Sequence, residues 1–434
     1  MGYLETRQNP LTSLPMEEVE QAFEKLVQYF GNRWLNSEAG THTLQQLWRR
    51  RDAIATNELF TFGSSVLAAE QASAEWLKAK IKLVLKGDEN NQRGAIFEIL
   101  AVGYTASRQK VTPARANQPG FDIDIATKEG ALYRVSLKRY SQSVHEKLFR
   151  KKSGAAEAKF LAGMSKTRFN AQMYVEANEY PAESDWQRLY TKISQLTSEF
   201  CGHRVIDHSD GKWLIAMLPL LPDQHELLSS THVSYSFVCT SCHHKNEQSN
   251  FLSKLDSAIS NLERHVAPNS DQLPVILMQL PITASAHTLK LWSDEYLRTN
   301  PSSTVEAIFF LQSYTSSSED MSSSHISHFV SAAVSESFQT RAARRLEFEV
   351  PVGIITRQPP EWRLHSDAGR RSLPEQYVYQ RGKHYIAATT ENSGKLRCDI
   401  KRKAPGIESI AVFNLNGENV VFAGRWGEDL CLIG

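Results

Sequence analysis

Between Asn91 and Tyr140 the spacing of apolar residues switches from helical to strand-like, and this switch constrains the fold more than any other feature of the chain. NQRGAIFEILAVGYTAS reads as a helix, whereas FDIDIAT and LYRVSLKRY are short β runs. Lys128-Glu129-Gly130 between the runs is a turn signal, so the segment predicts a helix followed by a β-hairpin.

Upstream, residues 1–86 read as helices. Val19, Phe23, Leu26, Val27 and Phe30 recur at helical spacing; Leu44, Leu47, Trp48 and Ile54 mark a second helix. Leu67, Trp76, Leu77, Ile81 and Val84 mark a third, which Gly87-Asp88-Glu89-Asn90 ends. Downstream, a basic helical stretch is expected to about residue 200. Residues 205–315 alternate strand and helix patterns (WLIAMLPL, VSYSFV, NFLSKLDSAISNLE, VILMQL, HTLKLWSDEYL, EAIFFLQ), the texture of an α/β module. The serine-rich SYTSSSEDMSSSHISH reads as a linker. The remainder is β-rich, and Asn416-Gly417 between IAVFNL and NVVFAG is a hairpin signal.

At 434 residues, 41% hydrophobic and 22% charged, the chain has room for several domains and is too apolar for wholesale disorder. No apolar run reaches membrane-spanning length, and MGYLETRQNPLTSLP lacks the basic start and apolar core of a secretion signal. Five cysteines, an odd number, point to a reducing compartment. The expectation is a cytoplasmic protein with no membrane partner. No GxxxxGK[ST] loop, GxSxG elbow or HExxH helix is present, which disfavours a P-loop ATPase, an α/β-hydrolase and a zincin. Cys239-Thr-Ser-Cys242-His243-His244 matches the haem-attachment pattern and half of a zinc site, with Cys201 and His203 as the other half. Haem attachment would need export, and the CxH spacing is wrong for common zinc fingers, so a strand end with buried thiols and exposed histidines is the preferred reading.

The chemistry concentrates between Arg93 and Lys138. Glu98 lies on the expected helix, Asp122 and Asp124 on one strand, Ser136 and Lys138 on the next. Residues i and i+2 of a strand share a face, so the two aspartates point one way. Carboxylates converging with a lysine make a site for a hard divalent cation, with Glu98, Asp122 and Asp124 as ligands. Such an ion can acidify a water for in-line attack on phosphorus and offset charge on the scissile phosphate.

In order and spacing, RGAIFE, PGFDIDI and VSLKRY resemble the PD-(D/E)xK superfamily of restriction-endonuclease-like nucleases. The resemblance covers roughly residues 85–150 and implies that Glu98 matches the helix glutamate, Asp122 the strand aspartate and Lys138 the terminal lysine. Where the family usually carries Asp or Glu two residues before the lysine, this chain has Ser136; Asp124 is the candidate to supply the missing charge. The implied activity is Mg²⁺-dependent (Mn²⁺ as the alternative ion) endonucleolytic hydrolysis of DNA, with RNA left open. The fold class expected is α+β multidomain: a helical N-terminal segment (1–86), a restriction-endonuclease-like α/β core (87–200), a second α/β module for recognition, sensing or partner binding (201–315), a Ser-rich linker (316–340) and a C-terminal β-rich domain (341–434). The layout suits a restriction enzyme or an antiviral-defence effector, working as a homo-oligomer or with a defence-system partner protein. A non-catalytic nucleic-acid-binding or assembly protein on a decayed nuclease fold is the alternative.

Charge is distributed to match. From Arg134 to Arg168 ten basic residues face two acids, a local +8 that leaves −7 for the rest of a chain of net +1. Arg139, Lys147, Arg150, Lys151 and Lys152 are the expected contacts to a phosphate backbone. Lys395, Arg397, Lys401, Arg402 and Lys403 form a second cluster near the C-terminus, and Arg49-Arg50-Arg51 reads as a solvated helix face. A fragment ending near Cys201 is expected to contain the whole catalytic set.

Overall fold

The computed structural model describes residues 2–7, 9, 11–51, 53–115, 120–167, 169–219, 234–264, 272–281, 284–301, 303–317, 324–340, 346–350, 352, 354–356, 363–365, 384–392, 407–415 and 418–425. Its first part is helical: α1 (Met16–Phe30), α2 (Asn32–Leu35), α3 (Thr43–Arg49), α4 (Ala53–Lys86) and α5 (Glu89–Ala106). Val19, Phe23, Leu26 and Phe30 are buried on one face of α1, as their spacing requires. α4 breaks at Ser73, where the backbone leaves helical space. Asp88 caps α5 by accepting from the Asn91 N–H at 2.9 Å. α4 and α5 pack closely because position 103 is glycine; a Cβ there would stand 2.7 Å from Ser65 Cα.

The expected hairpin follows. β1 (Lys110–Pro113), β2 (Ile123–Ala126) and β3 (Leu132–Arg139) run antiparallel, with Ile123 opposite Val135 and Ile125 opposite Tyr133. Gly130 ends the turn at φ 83°, which a side chain would resist, and its N–H donates to Thr127 O at 3.1 Å. The chain continues through α6 (Val144–Met164), β4 (Ala171–Ala177), α7 (Glu183–Glu199), β5 (Ile206–Ser209), β6 (Trp213–Pro219) and β7 (Ser234–Cys242). Then come α8 (Glu247–Glu263), β8 (Gln272–Leu280), α9 (Ala286–Thr299), β9 (Ala307–Ser317), β10 (Ser324–Val334) and α10 (Glu336–Thr340). Five strands complete the described chain: β11 (Ile354–Thr356), β12 (Arg363–His365), β13 (His384–Asn392), β14 (Ile407–Leu415) and β15 (Glu418–Arg425).

The strands form a mixed seven-stranded sheet in the order β1-β2-β3-β8-β9-β10-β11, a mixed five-stranded sheet β13-β7-β4-β6-β5 and a three-stranded sheet β12-β15-β14. One face of the large sheet buries Ile123, Ile125, Val135 and Leu137 against Ile96, Ile99 and Leu100 of α5. The other buries Ile276, Met278 and Phe310 against Phe251 and Leu255 of α8 and Leu289 and Trp292 of α9. Helices therefore cover both faces of the sheet, as parallel strands such as β3, β8 and β9 require. The five-stranded sheet packs Met173, Val175 and Ile215 on Phe149 and Phe160 of α6 and Trp186 and Leu189 of α7.

The chain is thus a mixed α/β protein, but its sheets cross the segment boundaries expected from the sequence. The large sheet takes strands from 87–200, 201–315, 316–340 and 341–434, while α6, β4 and α7 leave the hairpin for the second sheet. Much of the stretch expected to be a linker instead pairs as strands β9 and β10, antiparallel: Ile326 is buried in one core and Phe329 and Ala333 in the other, so apolar residues on both faces of HISHFVSAAV outweigh the serines. β4 interrupts the segment expected to be helical to about 200. Of the arginine run, Arg49 and Arg51 are exposed as expected, Arg49 also donating to the carbonyls of Ser37, Glu38 and Gly40, whereas Arg50 is buried. Asn416-Gly417 lies outside the described residues, although Leu415 and Glu418 on either side are paired.

A buried carboxylate joins the two large sheets. Glu247, at the start of α8, accepts from Tyr140 Oη (3.0 Å), Ser143 Oγ (2.8 Å) and Tyr385 Oη (2.5 Å). Tyr140 directly follows β3, Ser143 caps α6 and Tyr385 belongs to β13, so one side chain fixes the end of the β3 strand to the second sheet. Among the described residues no helix is long and apolar enough to cross a membrane.

Candidate active site

Asp122 stands where β2 parts from β3. Its backbone N–H donates to Val135 O at 2.9 Å, and its Oδ2 accepts the Leu137 N–H at 2.6 Å. The carboxylate thus takes the donor that another strand residue would otherwise pair, and it is held in the sheet's hydrogen-bonding direction. Lys138, one residue on, brings Nζ to 4.0 Å from the same Oδ2 while remaining more than a third exposed.

Glu98 lies on α5, which packs against β2 and β3. This glutamate is half-buried, and Lys80 of α4 forms an ion pair with its Oε2. Burial raises the Glu98 carboxyl above its ordinary pKa, and Asp122 adds to the rise; Lys80 and Lys138 oppose it. Asp122 and Lys138 are both near enough to Glu98 to act on its charge, while its direct contact is with Lys80.

The other two candidates sit differently. Asp124 accepts from Arg134 Nε at 3.0 Å and Nη2 at 3.1 Å, and that guanidinium lies 4.1 Å from the centroid of the Phe121 ring. Two-pronged pairing with a stacked arginine orients the carboxylate toward Arg134. Ser136 is buried; it shares register with Ile276, whose side chain belongs to the α8 and α9 side of the sheet.

Glu98 and Asp122 are oxygen donors, and one or two carboxylates completed by waters and substrate phosphate are a donor set that suits Mg²⁺. Among the described residues no group of three or more His, Cys, Asp or Glu side chains is arranged to hold a metal. The thiols give no such group either: Cys239 is buried, which pushes its pKa up, Cys201 Sγ lies 3.8 Å from His203 Nε2, and Cys242 Sγ donates to Asn178 O at 3.1 Å.

α6 begins five residues after β3, capped by Ser143, whose Oγ accepts from the Glu146 N–H at 3.0 Å. Its first turns present the basic run. Lys147 and Lys151 are exposed, Arg150 pairs with Glu146 at 3.2 Å and Lys152 with Glu183 at 2.6 Å; Arg139 is half-buried at the end of β3. Lys395, Arg397, Lys401, Arg402 and Lys403 lie outside the described residues.

Sequence reasoning missed Lys80 and the Arg134–Phe121 stack. Lys80 had a signal: Trp76, Leu77, Lys80, Ile81 and Val84 follow helical spacing, so a lysine falls on a largely inward face. Nothing local indicated that α4 would lie beside Glu98. Comparison with family models, with curated proteins and with solved structures finds no match.

Proposed function

We propose that the chain is a Mg²⁺-dependent endonuclease that hydrolyses phosphodiester bonds, with DNA as its substrate. The observation that carries this reading is the pairing of Lys138 Nζ with Asp122 Oδ2 at 4.0 Å across two paired strands, with Glu98 of the neighbouring helix within electrostatic range of both. Glu98 and Asp122 would hold the cation, which when bound supplies Lewis acidity toward water and charge for the scissile phosphate. Lys138 is the one lysine of the cluster that is more than a third exposed. Its ammonium can donate to the attacking water or to a phosphate oxygen, while Asp122 orients it. The exposed lysines of α6 supply affinity for the backbone without reading sequence. A nuclease centre combined with further sheets suits a restriction enzyme or an antiviral-defence effector.

The decisive experiment incubates the purified full chain with plasmid DNA and with structured RNA, with and without Mg²⁺. Cleavage that needs the ion is expected, falling by at least about 10²-fold in Asp122→Ala and in Lys138→Ala. Asp122→Ala cutting at the wild-type rate would move the centre elsewhere. A second reading, a non-catalytic nucleic-acid-binding or assembly protein, draws on the buried Ser136 and on the pairing of Asp124 with Arg134. It predicts salt-dependent binding with no cleavage of either polymer.

A further inference from the structure

We propose that Lys80 is a resident substitute for the divalent cation at Glu98, so that metal binding must displace this lysine and is weaker in the free protein for that reason. The inference rests on the nuclease reading and concerns what occupies the ligand oxygen before the ion does. Lys80 Nζ is in direct contact with Glu98 Oε2, one of the two carboxylate oxygens through which Glu98 could hold a cation. Both side chains keep only about a fifth of their surface in water, so the contact is less screened than an ordinary surface pair. The cluster is also balanced as it stands: Glu98 and Asp122 carry two negative charges, Lys80 and Lys138 two positive ones. A divalent ion added with Lys80 in place would be repelled by both lysines.

The architecture lets the lysine side chain leave without moving its backbone. Past the break at Ser73, α4 starts a new helical stretch, with the Ser73 hydroxyl accepting from the Trp76 N–H at 3.3 Å. Leu77, Ile81 and Val84 anchor that stretch in the core. Trp76 lies one turn before Lys80, and Nζ is 5.5 Å from its ring centroid. The ring face is a second resting place for an ammonium that has given up Glu98. With Lys80 turned aside and the ion bound, the site carries net positive charge, which a backbone phosphate offsets; metal and duplex then strengthen each other's binding.

Mn²⁺ alone is the probe, titrated into the full chain and followed by calorimetry and by the paramagnetic resonance of the free ion. Lys80→Met, which keeps an aliphatic stem beside Trp76, is expected to bind Mn²⁺ about fivefold more tightly, the upper end for a partly exposed ion pair. Lys80→Gln should do the same and serves as the second variant if Lys80→Met fails to give a cooperative melt. Lys80→Arg should stay near wild type, and so should Lys78→Gln, which removes the same charge from the exposed side of the helix. Unchanged or weaker affinity in Lys80→Met or Lys80→Gln, with binding still lost in Glu98→Gln, overturns the role of Lys80 and leaves the nuclease reading standing. Mn²⁺ affinity that is unaffected by Glu98→Gln removes the ion from this site and overturns both.

Discussion

Ser136 sits two residues before Lys138 on β3, where the resembled family carries an acid, and its burial decides what a carboxylate there would do. The position faces the side of the sheet that holds Ile276, with Arg134 and Lys138 two residues away on the same face, and being almost fully buried it would desolvate an added carboxylate. Ser136→Glu is therefore expected to destabilise the chain by on the order of 2–3 kcal/mol, the desolvation of a buried carboxylate partly offset by the two neighbouring cations, and to add no activity. A urea melt compared with a cleavage assay checks both parts; a stable Ser136→Glu with faster cleavage would make the position a ligand site after all. His328 gives a second residue-scale test. It is buried in β10 with Nδ1 2.8 Å from Ser313 Oγ, and burial lowers its pKa to about 3. The folded state holds the ring neutral while the unfolded chain protonates it near 6.5, so the unfolded state binds more protons between these values. Stability from this residue is fully present above about 6.5 and falls by about 1.4 kcal/mol per pH unit as the solution is acidified toward 3. His328→Gln should flatten that limb in denaturant unfolding measured across pH; an unaltered slope would mean the ring is reached by water in the native state.

At the scale of elements, α6 shows how a charge run divides its work. Arg150 and Lys152 are committed to Glu146 and Glu183, whereas Lys147 and Lys151 point into solvent from the turns nearest β3. Replacing Lys147 and Lys151 together by Gln should reduce the slope of log affinity for DNA against log salt by about 2, since each phosphate contact releases roughly 0.9 counterion. Neutralising Arg150 and Lys152 should change the slope less and lower the melting temperature more. Equal slopes in wild type and the Lys147/Lys151 variant would turn this face away from the duplex. The sequence made such elements legible wherever one period dominated: the α5 helix, the β2–β3 hairpin with its glycine at φ 83°, and the apolar face of α8 all follow from spacing. Serine content was a poor guide to the β9–β10 pair, where Ile326 on one face and Phe329 and Ala333 on the other are buried. Lys80 was out of reach for another reason. Its role depends on two helices approaching through Gly103, and helical periodicity gives a face without naming what meets it.

Pairing between distant strands sets the behaviour of the whole molecule. Glu98, Asp122 and Lys138 are close in sequence, which is why a candidate site could be proposed there and why a fragment ending near Cys201 is expected from sequence to contain the whole set. The fold argues against the sufficiency of that fragment. β3 lies between β2 and β8, and its register with β8 is parallel from Leu132 with Gln272 to Arg139 with Gln279, so ending the chain near 201 strips β3 of one neighbour along its full length. The same cut removes α8 and α9, leaving Ser136 and the rest of that sheet face uncovered, and it removes Glu247, which Tyr140 and Ser143 need. In the second sheet β4 loses both β6 and β7, while α6 and α7 keep apolar faces shaped for a sheet that is mostly gone. An unpaired strand edge beside exposed apolar surface is a template for association between chains. The fragment 1–201 is accordingly expected to elute from a sizing column as aggregate, to melt without a cooperative transition and to bind Mn²⁺ more weakly than the full chain. Circular dichroism, size exclusion and the metal titration read these in turn. A monomeric fragment with a sharp melt and full-chain Mn²⁺ affinity would show that the helix–hairpin unit carries its own stability, and that β8 and Glu247 contribute little to holding Lys138 beside Asp122.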